Sequence, residues 1–195
     1  MSSTLFQNVS LAPRDPILGL NEQFAADARQ DKVNLGVGVY FDEQGRLPVL
    51  ACVAEAERQL LGSGKPKGYL PIDGIAAYDR AVQGLVFGPE SGALKAGRVA
   101  TVQALGGTGG LKLGADFLAR LNPSATVLIS DPSWENHRAL FTQAGFEVAT
   151  YPYYDAATRG LRFEAMLAAL RAARAGTIVV LHACCHYPPG CDLTP

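Results

Sequence analysis

Three stretches of this sequence combine residue types with a spacing that suits chemistry. LGGTGGLK (105–112) follows an apolar run and opens a helical pattern. That arrangement gathers glycine-freed backbone N–H groups and the positive end of a helix dipole around one spot, where an anion belongs, a phosphate first of all. The Thr108 hydroxyl adds a donor. The stretch lacks the G-x-x-x-x-G-K-[ST] spacing, and Lys112 falls where the third glycine of G-x-G-x-x-G would sit, so a tight strand-to-helix turn with no ligand accounts for it equally well. DPSWENH (131–137) holds the single tryptophan, Trp134, just past the next apolar run, where its ring suits either stacking on a planar ligand or filling the core. His137, three residues on, shares a helical face with Trp134 and reads equally as a core or surface histidine bonded to backbone. LHACCHYPPGC (181–191) groups Cys184, Cys185, His186 and Cys191, but without the C-x-x-C pairs of zinc sites. These read as structural cysteines and a satisfied core histidine, with no metal. Adjacent thiols on a strand point to opposite faces and make poor disulfide partners, so the four cysteines, Cys52 included, are expected to stay reduced.

The elements that must position these groups follow from periodicity. VNLGVGVY (33–40) reads as a strand, PVLACVAEAERQLL (48–61) as an amphipathic helix stopped by Gly62, Ser63 and Gly64, and GIAAYDRAVQGLVFG (74–88) as a second helix. A regular alternation follows: strand 99–105, glycine loop, helix to Leu121, strand 126–130, helix 135–145, strand 147–153, helix 163–176 and strand 177–183. Strands of nearly unbroken Val, Ile and Leu between helices of ten or more residues are what a mostly parallel sheet with helices on both faces requires, so the fold class is α/β. In such open sheets ligands bind beyond the carboxyl ends of the strands. The loops at 36–40, 106–110, 131–137 and 186–190 all lie there.

Composition narrows the function. The 195 residues, 48% hydrophobic and 18% charged, suit a soluble domain with a real core. With 17 Lys+Arg against 18 Asp+Glu, spread evenly, no basic face would attract nucleic acid or an anionic membrane. The first residues carry no secretory pattern, and no apolar run approaches the roughly 20 residues that span a bilayer. A cytoplasmic protein is expected.

Taken together, NLGVGVY, KGYLPIDG, GGTGG, DPSWENH and LHACCHYPPG, in this order, closely resemble the first half of the fold-type I pyridoxal-phosphate aminotransferases, in the branch of aspartate and aromatic-amino-acid aminotransferases. The resemblance covers essentially the whole chain. It implies transfer of an amino group from aspartate or an aromatic amino acid to a 2-oxo acid, with pyridoxal 5'-phosphate as cofactor. It also implies an N-terminal arm at 1–15, the N-terminal part of a small domain with a crossing segment at 16–47, and the first part of the cofactor-binding large domain at 48–195.

Residue by residue, the resemblance puts the cofactor phosphate on Gly107 and Thr108 and the pyridine ring against Trp134. His137 stands behind the aspartate that pairs with the pyridine nitrogen. Tyr69 is similar to the residue that reaches from one subunit to the cofactor phosphate of the other, because active sites in this family are shared across a homodimer. Val37 and Gly38 approach the substrate carboxylate, which suits glycine's tolerance of close approach. Tyr187 stands where the family has the asparagine of H-N-P-T-G, and Pro189 where it has threonine. The larger phenol is expected to intrude on the ring site, an overpacking of the kind that costs about 1–3 kcal/mol.

The family's Schiff-base lysine has no counterpart here. Lys32, Lys65, Lys67, Lys95 and Lys112 occupy other positions, and no catalytic residue is assigned. LTP (193–195) reads as the opening of a helix, so the chain looks like the front half of a longer, truncated protein, inactive alone, poorly soluble or in need of a partner. The alternative is a non-catalytic half-domain that associates with an intact aminotransferase subunit.

Overall fold

The computed structural model describes residues 6–11, 16–34, 36 and 38–194. Most of the proposed N-terminal arm, residues 1–5 and 12–15, and the substrate-site candidate Val37 lie outside the described residues.

The chain forms two compact units, 1–67 and 68–195. The first holds α1 (Pro16–Ala26) and α2 (Ala51–Gly62). The Lys32 ammonium donates to the Phe24 and Asp27 carbonyls, satisfying acceptors left over at the end of α1. The helix expected over 48–61 is α2, which buries none of its residues. The strand expected at 33–40 does not form among the described residues. Instead Asn34 folds that stretch locally, its Oδ1 accepting from the Gly36 N–H and its amide donating to Asn21.

In the second unit the order is α3 (Ala76–Phe87), α4 (Gly92–Lys95), α5 (Gly106–Leu121), β1 (Thr126–Asp131), α6 (Glu135–Gln143), β2 (Glu147–Pro152), β3 (Tyr154–Asp155), β4 (Gly160–Leu161), α7 (Phe163–Ala172) and β5 (Ile178–Val179). β1 is central in a parallel sheet ordered β2-β1-β5, with Val127 opposite both Val148 and Ile178. Alternation along β1 feeds two cores. Val127 and Ile129 pack with Ala115 of α5, Phe141 of α6 and Phe146, while Leu128 joins Tyr151, Tyr153 and Met166 of α7. Helices therefore cover both faces of the sheet, as the apolar strands predict.

Two expected strands differ. Residues 99–105 have no ladder among the described residues, because a strand exists only where another backbone pairs with it. That stretch is instead stitched to the KGYLPIDG region. Gln103 N donates to Asp73 O, the Gln103 side chain accepts from Ile75 N, and Gln83 donates to Thr101. Gly74 is required here: its φ is +102°, and an added Cβ would lie 2.3 Å from the Gln103 Cβ. The last expected strand, 177–183, is shortened to Ile178–Val179, and beyond it Val180 still donates its N–H to Leu128 O. The small β3–β4 hairpin was not anticipated.

Candidate functional site

Chain direction fixes where α5 begins. It enters β1 through the short connection 122–125, so helix and strand run antiparallel. Sixteen helical residues at ~1.5 Å rise and six strand residues at ~3.3 Å have similar lengths. The N-terminus of α5 therefore lies toward the carboxyl end of β1, the end that carries Asp131, Ser133 and Trp134. α5 starts without a side-chain cap, at Gly106 with φ +66°. Gly107 and Thr108 in its first turn are exposed, and a Cβ built on Gly107 meets nothing within 4 Å. Among the described residues, no side chain takes the free N–H groups of that turn.

Trp134 is half-buried at the entry of α6, with its ring edge-on to His137 at 5.3 Å. It lines a depression of about 280 Å³ together with Ser130, Asp131, Ser133, Glu135 and Arg138. His137 is buried, and its Nδ1 is 2.9 Å from Ser133 Oγ. Burial, and next the neighbouring His182, hold its pKa below the ordinary imidazole value.

The structure extends this pair into a column that contains all three histidines of the sequence. His137 meets His182 edge-on at 5.0 Å, His182 stacks on His186 at 4.1 Å, and His186 stacks on Tyr153 at 3.7 Å. His186 is 2% exposed, with Nε2 3.0 Å from Ser130 Oγ on β1 and Nδ1 buried without a partner among the described residues. Burial, then the like-charged neighbour His182, push its pKa down to about 4. His182 accepts the Tyr187 N–H on Nδ1, so its neutral ring carries the proton on Nε2, which is also buried and unpartnered among the described residues. Two tyrosines brace the column: Tyr151 donates to Val180 O and Tyr153 to Cys191 O. Burial raises the pKa of both.

Asp192 closes the loop. Its two carboxylate oxygens accept the N–H groups of His186 and Cys185, both at 2.7 Å, and these bonds hold its pKa below the usual carboxylate range. Asp192 thus binds backward to residues 185 and 186.

Other expected site residues are placed as follows. Tyr187 is 44% exposed and engaged through its backbone N–H, so its phenol is not packed into a closed site by the described residues. Tyr69 is fully exposed, and Gly38 is exposed in the first unit. Cys184 and Cys185 are not on a strand: they sit in an exposed bend. The strand from which opposite-facing thiols were expected is absent there, and Cys185 adopts φ +52°, which turns the chain. No group of three or more side chains suited to a metal converges among the described residues, and no helix among them is long and apolar enough to cross a membrane. Sequence reasoning passed over His182, Ser130, Tyr153 and Asp192. The spacing of His182 and His186, four residues apart after a strand, was the one available signal.

A parallel sheet, an uncapped glycine-started helix and an aromatic residue at one carboxyl end agree with the family that comparison finds. The family model for class I and II aminotransferases matches residues 30–195, and the chain belongs to that family. An aspartate aminotransferase of Pseudomonas aeruginosa is 63% identical over 190 residues, 97% of this chain and 48% of the relative. An aromatic-amino-acid aminotransferase of Escherichia coli is 52% identical over 193 residues, 97% of this chain and 48% of the relative. Among solved structures, an aromatic-amino-acid aminotransferase from Burkholderia pseudomallei, covalently bound to pyridoxal phosphate, superposes with a TM-score of 0.94 at 65% identity over 98% of this chain and 48% of that one. The fold is that of the fold-type I aminotransferases. The chain spans about half the length of the relatives it matches.

Proposed function

We propose that this chain carries the phosphate and ring side of the cofactor site of a pyridoxal-phosphate-dependent aminotransferase that acts on aspartate or aromatic amino acids with a 2-oxo acid as acceptor. The observation that carries this reading is the uncapped N-terminus of α5, with its open glycine turn, at the same sheet end as Trp134. The residues present suit the group. The first turn of α5 has no side-chain cap, a Cβ at Gly107 would meet open space, Thr108 beside it is exposed, and the half-buried Trp134 ring borders a depression.

When bound, pyridoxal phosphate supplies an electron sink for the bond-breaking step. The chain's own residues bind and orient it: Gly107 and Thr108 hold the phosphate, Trp134 covers one ring face, and His137 fixes the surroundings of the ring nitrogen. Tyr187 stands by the ring hydroxyl, and Val37 and Gly38 approach the substrate carboxylate. Tyr69 reaches the phosphate of the partner subunit in a homodimer. The domain reading stays as proposed above, with an arm at 1–15, a small-domain part at 16–47 and a large-domain part from 48. The protein acts in the cytoplasm.

None of the lysines suits the proton shuttle. Lys112 sits in the second turn of α5 with its ammonium on Asp116, and Lys95 pairs with Glu90. Lys32 donates to the Phe24 and Asp27 carbonyls, and neither Lys65 nor Lys67 follows a strand. We therefore infer that these 195 residues alone do not transaminate. The test supplies aspartate or tyrosine, 2-oxoglutarate and pyridoxal phosphate: glutamate formation above the cofactor-only background overturns the inference.

A second reading, a non-catalytic half-domain that joins an intact aminotransferase subunit, is favoured by the exposed apolar stripe Leu113, Phe117 and Leu121 along α5. Co-purification with a full-length relative supports it, and a clean monomer in that relative's presence removes it.

A further inference from the structure

β1 has a neighbour on each side, so β2 and β5 are the edges of the parallel sheet among the described residues, and the two edges end differently. In a parallel ladder successive residues aim their main-chain N–H and C=O groups at opposite sides. A residue that faces the neighbouring strand bonds the residues flanking its register partner, so that partner itself faces away. The Val180 N–H reaches Leu128 O, so Leu128 faces β5, and its register partner Val179 turns its N–H and C=O outward. By the same alternation Val127, Ile129 and Asp131 face β2, and their partners Val148, Thr150 and Pro152 line the other outer edge.

The β2 edge is blunted. The Arg138 guanidinium donates to the outward Val148 carbonyl at 2.7 Å, and Pro152 has no N–H to offer, two devices that end a sheet. The β5 edge carries neither, and no described residue bonds the outward groups of Val179. Its side chains are short of cover too. Ile178 and Val180 join one core and Val179 the other, yet all three stay half-buried, while Val127 at the centre of the sheet is fully buried. A second stretch of the same unit is ready for a ladder. Along 99–104 half-buried Val99, Thr101 and Gln103 alternate with exposed Ala100, Val102 and Ala104, the period of a strand. Among these six residues only Gln103 donates its main-chain N–H to a main-chain acceptor, Asp73 O.

The chain superposes closely on solved relatives of which it spans about half, so it already holds the conformation of a piece of a larger subunit and needs no refolding to receive more sheet. A second copy fits less well: two β5 edges of two residues each share few bonds, and their pairing leaves 99–104 uncovered. We propose that the β5 edge and residues 99–104 are the docking surface for the complementary half of a class I aminotransferase, supplied as a separate polypeptide. That partner adds strands to this sheet and completes one subunit from two chains.

The partner for the test is the half of the Pseudomonas aeruginosa aspartate aminotransferase that this chain does not match, co-expressed with the full chain and purified without pyridoxal phosphate. The expected result is a complex holding one of each polypeptide by light scattering. In that complex, hydrogen exchange at the amides of Val179 and of residues 99–102 slows by about 100-fold or more against the chain alone, while Val148 and Thr150 on the blunted edge exchange as before. Val179→Pro, which deletes the outward donor, should weaken the complex by about tenfold or more. If that variant fails to fold, the exchange pattern of the wild type decides. No complex, or a complex in which Val179 exchanges as it does in the chain alone, overturns the proposal. So does a dimer of the chain alone that protects Val179, which assigns the edge to a second copy. Assembly is read without cofactor, so a failure of the phosphate-cradle reading leaves this result intact.

Discussion

His186 should make the stability of this protein fall as pH drops from about 6.5 to about 4, and replacing it should remove that part of the dependence. The ring is 2% exposed, sandwiched between Tyr153 and His182, with Ser130 on Nε2. A proton there has no water to solvate it. The unfolded chain binds that proton near pH 6.5 and the folded chain only near 4, so between these values the unfolded state holds more protons and stability rises with pH. The stabilisation is fully present above the unfolded value and is lost as pH falls through the window. At ~1.4 kcal/mol per pH unit, the full shift from 6.5 to about 4 corresponds to at most about 3.5 kcal/mol.

His137 and His182 are shifted in the same direction, and the lowered carboxyls of Asp27, Glu55, Asp155 and Asp192 also lose stability on acidification, at lower pH. The diagnostic quantity is thus a difference between proteins. His186→Phe keeps an aromatic ring in the stack and removes the titrating group. Urea unfolding at intervals from pH 4.5 to 7.5 should give a slope against pH shallower in the variant by up to one proton's worth. Equal slopes for the two proteins across this window would refute the reasoning.

Further outcomes follow from single sites. Gly107→Ala should leave stability unchanged or raise it by up to about 1 kcal/mol, since the new Cβ meets nothing and alanine favours a helix, while weakening pyridoxal phosphate binding; thermal melts and a cofactor titration separate the two effects. Phe141→Ala empties the core between α6, Phe146 and β1 and should cost about 3–5 kcal/mol in urea unfolding. Asp192→Asn should speed hydrogen exchange at the Cys185 and His186 amides without changing that of β1, because it removes the charged acceptor from only those two bonds.

What could be read from the sequence was what local pattern encodes. The helices α2, α3, α5, α6 and α7 and the strands β1 and β2 announce themselves by periodicity, so the parallel sheet and the carboxyl-end loops were legible. Residues 99–105 show the limit: an apolar, β-branched run is necessary for a strand, but the ladder depends on a partner backbone that composition does not supply. The glycine turn and Trp134 were visible because each is a local exception in residue type. The histidine column was not, because His186 meets Ser130 across 56 positions and Tyr153 across the sheet. The Cys184–Cys185 geometry was hidden for a different reason. It turns on one positive φ beside a carboxylate seven residues away, where strand periodicity suggested extended backbone.

The most direct test of the cofactor reading uses the single tryptophan. Titrating the chain with pyridoxal 5'-phosphate and, separately, with pyridoxal should quench Trp134 fluorescence saturably with the phosphate ester, and at least tenfold more weakly with the unphosphorylated form. Equal response to both, or none to either, would contradict a phosphate cradle at α5 beside Trp134.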